Sequence, residues 1–170
     1  MNYAVLIQEI LKDYVLHPWG FHGLAHWARV TENGLKLAEQ TGADRDVIAL
    51  FGIFHDSRRE NDGYDIEHGP RGALLAREFR GKHFDLSDAK FELLYRACEL
   101  HTIGRHDVDI TVLTCWDSDR LDLGRIGVVP NPKYLGTAAA RDPKMIAWAH
   151  ARARREMVPD LTRTVWGVMP

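Results

Sequence analysis

The sequence predicts an all-α fold: one domain of about six or seven helices in a chain of 170 residues. Three observations predict it. Apolar residues recur at helical spacing in one segment after another, and each segment ends at a stop signal. No stretch alternates convincingly as a strand; the nearest, Ile126 to Val129, is short. The connections between segments are of a length that suits a compact bundle.

The first helix is expected over Tyr3 to Val15, with Ala4, Ile7, Ile10 and Leu11 at helical spacing, stopping before Pro18. A loop, His17 to Phe21, follows. The second helix runs from about His22 to Gln40, with Trp27, Val30, Leu37 and Ala38 on one stripe, and Gly42 ends it. Asp44 is a plausible N-cap for the third, Arg45 to about Arg58. That helix holds a continuous apolar run, Ala49 to Phe54, and reads as central and buried.

Residues Arg59 to Ile66 are polar and glycine-containing, hence loop. The fourth helix covers about Glu67 to Arg80 and stops at Gly81. Asp85 or Ser87 caps a fifth that reaches about Thr102, with Phe91, Leu94, Tyr95, Cys98 and then His101 on its apolar stripe. The sixth spans about Val108 to Leu123. Gly124 to Gly136 is glycine- and proline-rich loop, and a last helix covers about Asp142 to Met157. The basic side of that helix, with Arg152, Arg154 and Arg155, reads as solvated. Trp19 and Trp116 read as core. Trp166 lies in a tail, Leu161 to Pro170, that could pack onto a partner subunit in a homo-oligomer.

A formal net charge of −2 argues against a general nucleic-acid or membrane-surface binder, but leaves room for a small phosphate-bearing substrate. The two cysteines, Cys98 and Cys115, fit neither a disulfide framework nor a zinc spacing and read as core thiols. No signal peptide or membrane-length apolar stretch is seen, so the expected setting is a reduced cytoplasm.

The chemistry concentrates in the histidines and their neighbouring aspartates. His55 and Asp56 end the buried apolar run, and burying both requires a partner; a divalent metal suits them best. His22 and His26 stand four apart and share a face if the helix begins by His22. His68 opens the fourth helix, where the macrodipole favours a neutral, ligating imidazole. His101 ends the stripe of the fifth. Asp119 shares a face with Val112, Cys115, Trp116 and Leu123, so it too requires a partner, metal or arginine.

The order His, His-Asp, His, His, Asp across five helices resembles the HD superfamily of metal-dependent phosphohydrolases. The opening His22-x-x-x-His26-x-x-Arg29-Val30 is similar to the H-D-x-x-H-x-x-R-V segment of many small members, with Gly23 in place of their aspartate. Asp117-Ser118-Asp119-Arg120-Leu121-Asp122 resembles their D-x-D-[KR]-L-D segment. The resemblance covers roughly residues 20 to 125; the C-terminal loop and helix, 126–170, add nothing to it. It implies an HD-like helical bundle and the metal ligands His26, His55, Asp56 and Asp119. His68 and His101 then resemble the additional ligands of two-metal members, with Asp56 bridging.

Imidazole and carboxylate without thiolate suit Mn, Fe, Co, Ni or Zn, as one ion or two. Such a metal generates hydroxide from a bound water. Asp56, His68 and His101 are the expected catalytic residues; in a one-metal site either histidine could orient the water or protonate the leaving group. Arg58, Arg59, Arg71 and Arg120 are the expected donors to a small phosphorylated substrate, a nucleotide or related phosphoester. Lys133 and Tyr134 could close over the site, and Glu60 or Asp117 could add a second carboxylate. Two other classes compete: a two-iron oxygenase on the same ligand set, and a catalytically silent regulatory domain.

Overall fold

The structure, a computed structural model, describes residues 1–107 and 109–170. It is all-helical, with nine α-helices among the described residues. They are α1 (Tyr3–Leu11), α2 (Leu24–Thr41), α3 (Arg45–Phe54), α4 (His68–Phe79), α5 (Asp88–Leu100), α6 (Ile110–Arg120), α7 (Ala138–Arg141), α8 (Pro143–Arg154) and α9 (Leu161–Thr164). Two 3₁₀ turns, Leu123–Ile126 and Pro132–Tyr134, occupy the stretch expected to be loop. The four-residue α7 and α9 are too short to show a period in the sequence. The expected start of the sixth helix, Val108, lies outside the described residues.

Local chemistry sets the helix ends. Asp44 accepts from the backbone N–H of Asp46 and Val47 at 3.0 and 3.1 Å, as an N-cap should. Of the two candidates before α5, Ser87 is the cap. Gly42 closes α2 in the left-handed region, φ 72°. α2 begins at Leu24 rather than His22, because the preceding loop folds back on itself: Leu24 N–H donates to Pro18 O at 2.7 Å. Gly23 lies so close to this loop that a Cβ there would stand 2.1 Å from Pro18 O. His22 is therefore outside the helix, and it meets His26 ring edge to ring face, 6.2 Å between centroids, rather than along one helical face.

α3 is the centre of the bundle. Residues Leu50 to Ser57 form an unbroken buried run, and α2, α4, α5 and α6 all pack against this helix. The α2–α3 approach is close enough to exclude a side chain at Gly52, whose Cβ would lie 2.1 Å from Thr31 Oγ1. α3 ends at Phe54, not near Arg58. Ser57 is the reason: its N–H and its Oγ both bond Phe54 O, at 3.2 and 2.8 Å. The chain after Phe54 is a series of turns, and these aim His55 and Asp56 at the space between four helices.

The main core joins α1 through α6, and Trp166 is part of it at 2 % exposure, so this tryptophan is not offered to a partner. Trp116 is buried there too and donates to Ala97 O at 3.0 Å, and Trp19 packs at the edge. A smaller cluster holds the C-terminal part: Leu37, Leu121 and Leu135 meet Ala140, Met145 and Ala149. Arg152 is buried, not solvated as expected. Its guanidinium pairs with Glu32 and lies 4.2 Å from the Trp148 ring centroid, so its charge is compensated rather than hydrated. Among the described residues no helix is long and apolar enough to cross a membrane.

Candidate metal centre

Five helices contribute one end each to a single buried point. His26 sits in the first turn of α2, His55 caps α3 and Asp56 follows it. His68 is the first residue of α4, His101 caps α5, and Asp119 lies in the last turn of α6. All four histidines and Asp56 are buried.

The Asp56 carboxylate stands between two histidine pairs. Its Oδ2 lies 3.4 Å from His26 Nε2 and 3.8 Å from His55 Nε2. Its Oδ1 lies 3.1 Å from His68 Nε2 and 3.7 Å from His101 Nε2. Asp119 Oδ1 completes the first group, 3.5 Å from His26 Nε2 and 3.8 Å from His55 Nε2. Donors about 2.1 Å from a common ion stand about 3.0–3.4 Å from each other. The observed separations are of that size or slightly longer.

The hydrogen bonds on the far side of each ring fix what faces this point. His26 Nδ1 meets Asp122 Oδ2 at 2.7 Å. His55 Nδ1 meets the Phe51 and Gly52 carbonyls, each at 3.1 Å. His68 Nδ1 meets Asp65 O, and His101 Nδ1 meets Cys98 O at 2.8 Å. Each partner is an acceptor, so each neutral ring carries its proton on Nδ1 and turns a bare Nε2 lone pair inward. Four lone pairs and two carboxylates then converge, with Arg59 Nη1 at 3.4 Å and Thr102 Oγ1 at 3.3 Å from His68 Nε2 as donors at the edge. His26 Nε2 and His55 Nε2 are 3.1 Å apart, and His68 Nε2 and His101 Nε2 are 2.8 Å apart. Acceptors held this close are repulsive unless a cation lies among them, and anchored imidazoles of this kind are how proteins orient metal ligands.

A proton is the alternative cation. It fits one side better than the other. Burial pushes His55 down to about 3, so protonation of His55 does not relieve its contact with His26. Burial would lower His101 as well, but its hydrogen bond to Asp56, the charges of Asp119 and Asp56 and its bond to Cys98 O together outweigh this and raise it. Burial would raise Asp56; the imidazoles of His55, His101, His26 and His68 around it outweigh that and hold it well below the usual carboxylate range. His26, His55 and Asp56, and again Asp56, His68 and His101, are thus groups that could hold a metal ion.

Above the cluster opens a cavity of about 220 Å³ with Arg59, Arg120 and Arg125 on its rim. Of the arginines expected to bind substrate, the fold brings two to the site. Arg59 Nη1 lies 3.6 Å from Asp56 Oδ1. Arg120 lines the cavity while donating to the Gly104 and Tyr134 carbonyls. The other two are turned elsewhere. Arg58 donates to Ile10 O and Ser57 O and faces Asp13 on the α1 side. Arg71 is engaged with Asp65, Nη2 bonding both oxygens at 2.7 Å, and with Arg58 O. Adjacency in sequence to a site residue does not determine direction once the chain turns.

Neither candidate second carboxylate lines the cavity over the cluster. Asp117 is buried and accepts from the N–H of Gly136 and Thr137 at 2.7 and 2.8 Å, and Glu60 is exposed beside Arg71. His22 pairs with Asp62 at 2.8 Å and meets His26 by its ring edge, 6.2 Å between centroids, so it borders the cluster. Sequence reasoning missed Arg125, inside a stretch taken as plain loop. It also missed Asp122, which orients His26 and is itself gripped by Arg29, Nε to Oδ1 at 2.7 Å and Nη2 to Oδ2 at 3.0 Å. A signal existed for Asp122: it falls three residues after Asp119, one turn along the same face. No protein-family model, curated protein or solved structure matches the chain.

Proposed function

We propose that the protein is a metal-dependent phosphohydrolase of the HD type, acting on a nucleotide or related small phosphoester. One observation carries this reading: the two oxygens of Asp56 each face a histidine pair whose lone pairs point at them, beneath a rim of arginines. His26, His55, Asp56 and Asp119 would hold one divalent ion; Asp56, His68 and His101 would hold a second. Such an ion lowers the pKa of a bound water towards neutrality and so supplies hydroxide at ordinary pH.

The chain's own groups do the rest. Arg59, Arg120 and Arg125 present guanidinium groups to an anion entering the cavity, and phosphate is the anion whose oxygens they match. Arg120 is anchored by two backbone carbonyls, so its charge is held in place before the substrate arrives. Thr102 Oγ1, 3.3 Å from His68 Nε2, adds a hydroxyl donor at the mouth. Cys98 and Cys115 are buried free thiols, in keeping with a reduced cytoplasmic setting.

The same pair of sites favours one other reading, a two-iron oxygenase, because a carboxylate between two histidine pairs also suits iron. The arginine rim favours phosphate. Phosphate release from a panel of nucleotides and sugar phosphates with added Mn decides between them. Release from one compound class is expected; bound iron with oxygen uptake and no phosphate release would overturn the hydrolase reading.

A further inference from the structure

A second and larger cavity, of about 930 Å³, adjoins the metal centre. Thr102 and Arg120 line both, so they form a common wall. One side of the larger cavity is the segment after α5, and the other is the 3₁₀ turn Pro132–Tyr134 with the residues after it. Both sides are fixed. Gly104 lies so close to α6 that a Cβ would stand 2.5 Å from Trp116 Cη2. On the opposite side Asp117 holds the N–H groups of Gly136 and Thr137. Arg120 ties the two sides together through Gly104 O and Tyr134 O.

The groove is strongly cationic, although the chain as a whole carries −2. Arg105, Arg120, Lys133 and Arg141 line it against a single acid, Asp107, and that acid is paired with Arg96 at 3.3 Å. Arg141 is occupied by the Leu135 and Gly136 carbonyls. Arg105 and Lys133 are exposed, and neither has an acidic partner among the described residues. Tyr134, 57 % exposed, is the one aromatic residue among those lining the groove besides His106. The volume is that of a site for a whole small molecule, far beyond what an inorganic phosphate fills.

We propose that this groove is a distal anion subsite, in which Arg105 and Lys133 hold a second phosphate of the substrate and Tyr134 packs against the planar body between the two phosphates. It rests on the phosphohydrolase reading for the group at the metal centre. The substrate class it selects is a doubly phosphorylated nucleoside, as a bisphosphate or a polyphosphate, over a nucleoside monophosphate. The preference is electrostatic and therefore weakens with salt.

The test is equilibrium binding by calorimetry to the full-length chain in chelator, so that nothing is turned over. The probes are adenosine 5′-monophosphate and adenosine 3′,5′-bisphosphate. The bisphosphate is expected to bind about tenfold tighter at low salt, and the double variant Arg105→Ala/Lys133→Ala is expected to lose that advantage. Both positions are exposed, so the variant is expected to fold, and thermal melting checks it. Equal affinities in the wild type, or a preference that survives in the double variant, would overturn the subsite. Phosphate release, read separately with Mn, keeps the two readings apart. Release without a binding preference removes the subsite and leaves the hydrolase. A binding preference without release does the reverse.

Discussion

The Nε2 atoms of His26 and His55 face each other at 3.1 Å, while the Nδ1 atom of each ring is already engaged by an acceptor on its far side. For His26 that acceptor is Asp122, and Asp122 in turn is the carboxylate partner of the buried Arg29. One side chain thus orients a candidate metal ligand and neutralises a buried guanidinium.

Asp122→Asn separates the two roles from the rest of the site. The carboxamide offers one oxygen where three N–H donors arrive, so an N–H faces an N–H. Metal affinity is expected to fall about 10–100-fold, the usual effect of removing a group that orients a ligand histidine. Stability is expected to fall as well, by about 3–5 kcal/mol in the metal-free chain, because the Arg29 charge is left buried with a poorer partner. Chelator competition reads the first effect and urea unfolding the second.

Gly72 tests the close approach of α4 to the end of α3. A Cβ at this position would stand 2.3 Å from Phe54 O. Gly72→Ala must push α4 outward, which is expected to cost about 1–3 kcal/mol. His68 rides on the same helix, so the ion held by Asp56, His68 and His101 is expected to weaken first. Metal titration of the variant should show one site retained and the other lost.

The Asp65–Arg71 pair gives a pH dependence with a definite sign. Burial would raise Asp65, but the backbone N–H of Glu60 and the Arg71 guanidinium outweigh it and lower its pKa. A carboxyl lowered on folding contributes stability above its unfolded value, about 4. It loses that contribution as the pH falls through its folded value. Wild type is therefore expected to exceed Asp65→Asn by about 1–3 kcal/mol near pH 7, with the gap closing below about pH 4. Urea unfolding of both proteins across pH measures it; a gap that widens in acid would contradict the assigned pair.

Much of this arrangement was legible in the chain. The apolar run before His55 marked α3 as central because only a helix buried on every side can carry it, and the structure buries Leu50 through Ser57 without a break. The six residues of the candidate centre were legible because buried His55, Asp56 and Asp119 demand partners, and because the order of all six resembles the HD pattern. What was not legible depends on direction. Arg58 and Arg59 are neighbours, yet only Arg59 faces the cluster, since the turns after Phe54 rotate each residue separately. His22 left the α2 face because its loop closes on Pro18, a long-wave feature that no residue period records. Arg152 looked solvated because its partner Glu32 lies 120 positions away.

The measurement to make first is the metal content of the chain purified without chelator, beside Asp56→Ala, by elemental analysis. Two transition-metal ions per wild-type chain are expected, and fewer than about one in ten of the Asp56→Ala chains should retain either, because both groups share this carboxylate. Phosphate release should disappear with the metal. A wild-type chain that takes up no metal under any supplement, or an Asp56→Ala protein that keeps both its ions and its activity, would contradict a centre built around Asp56.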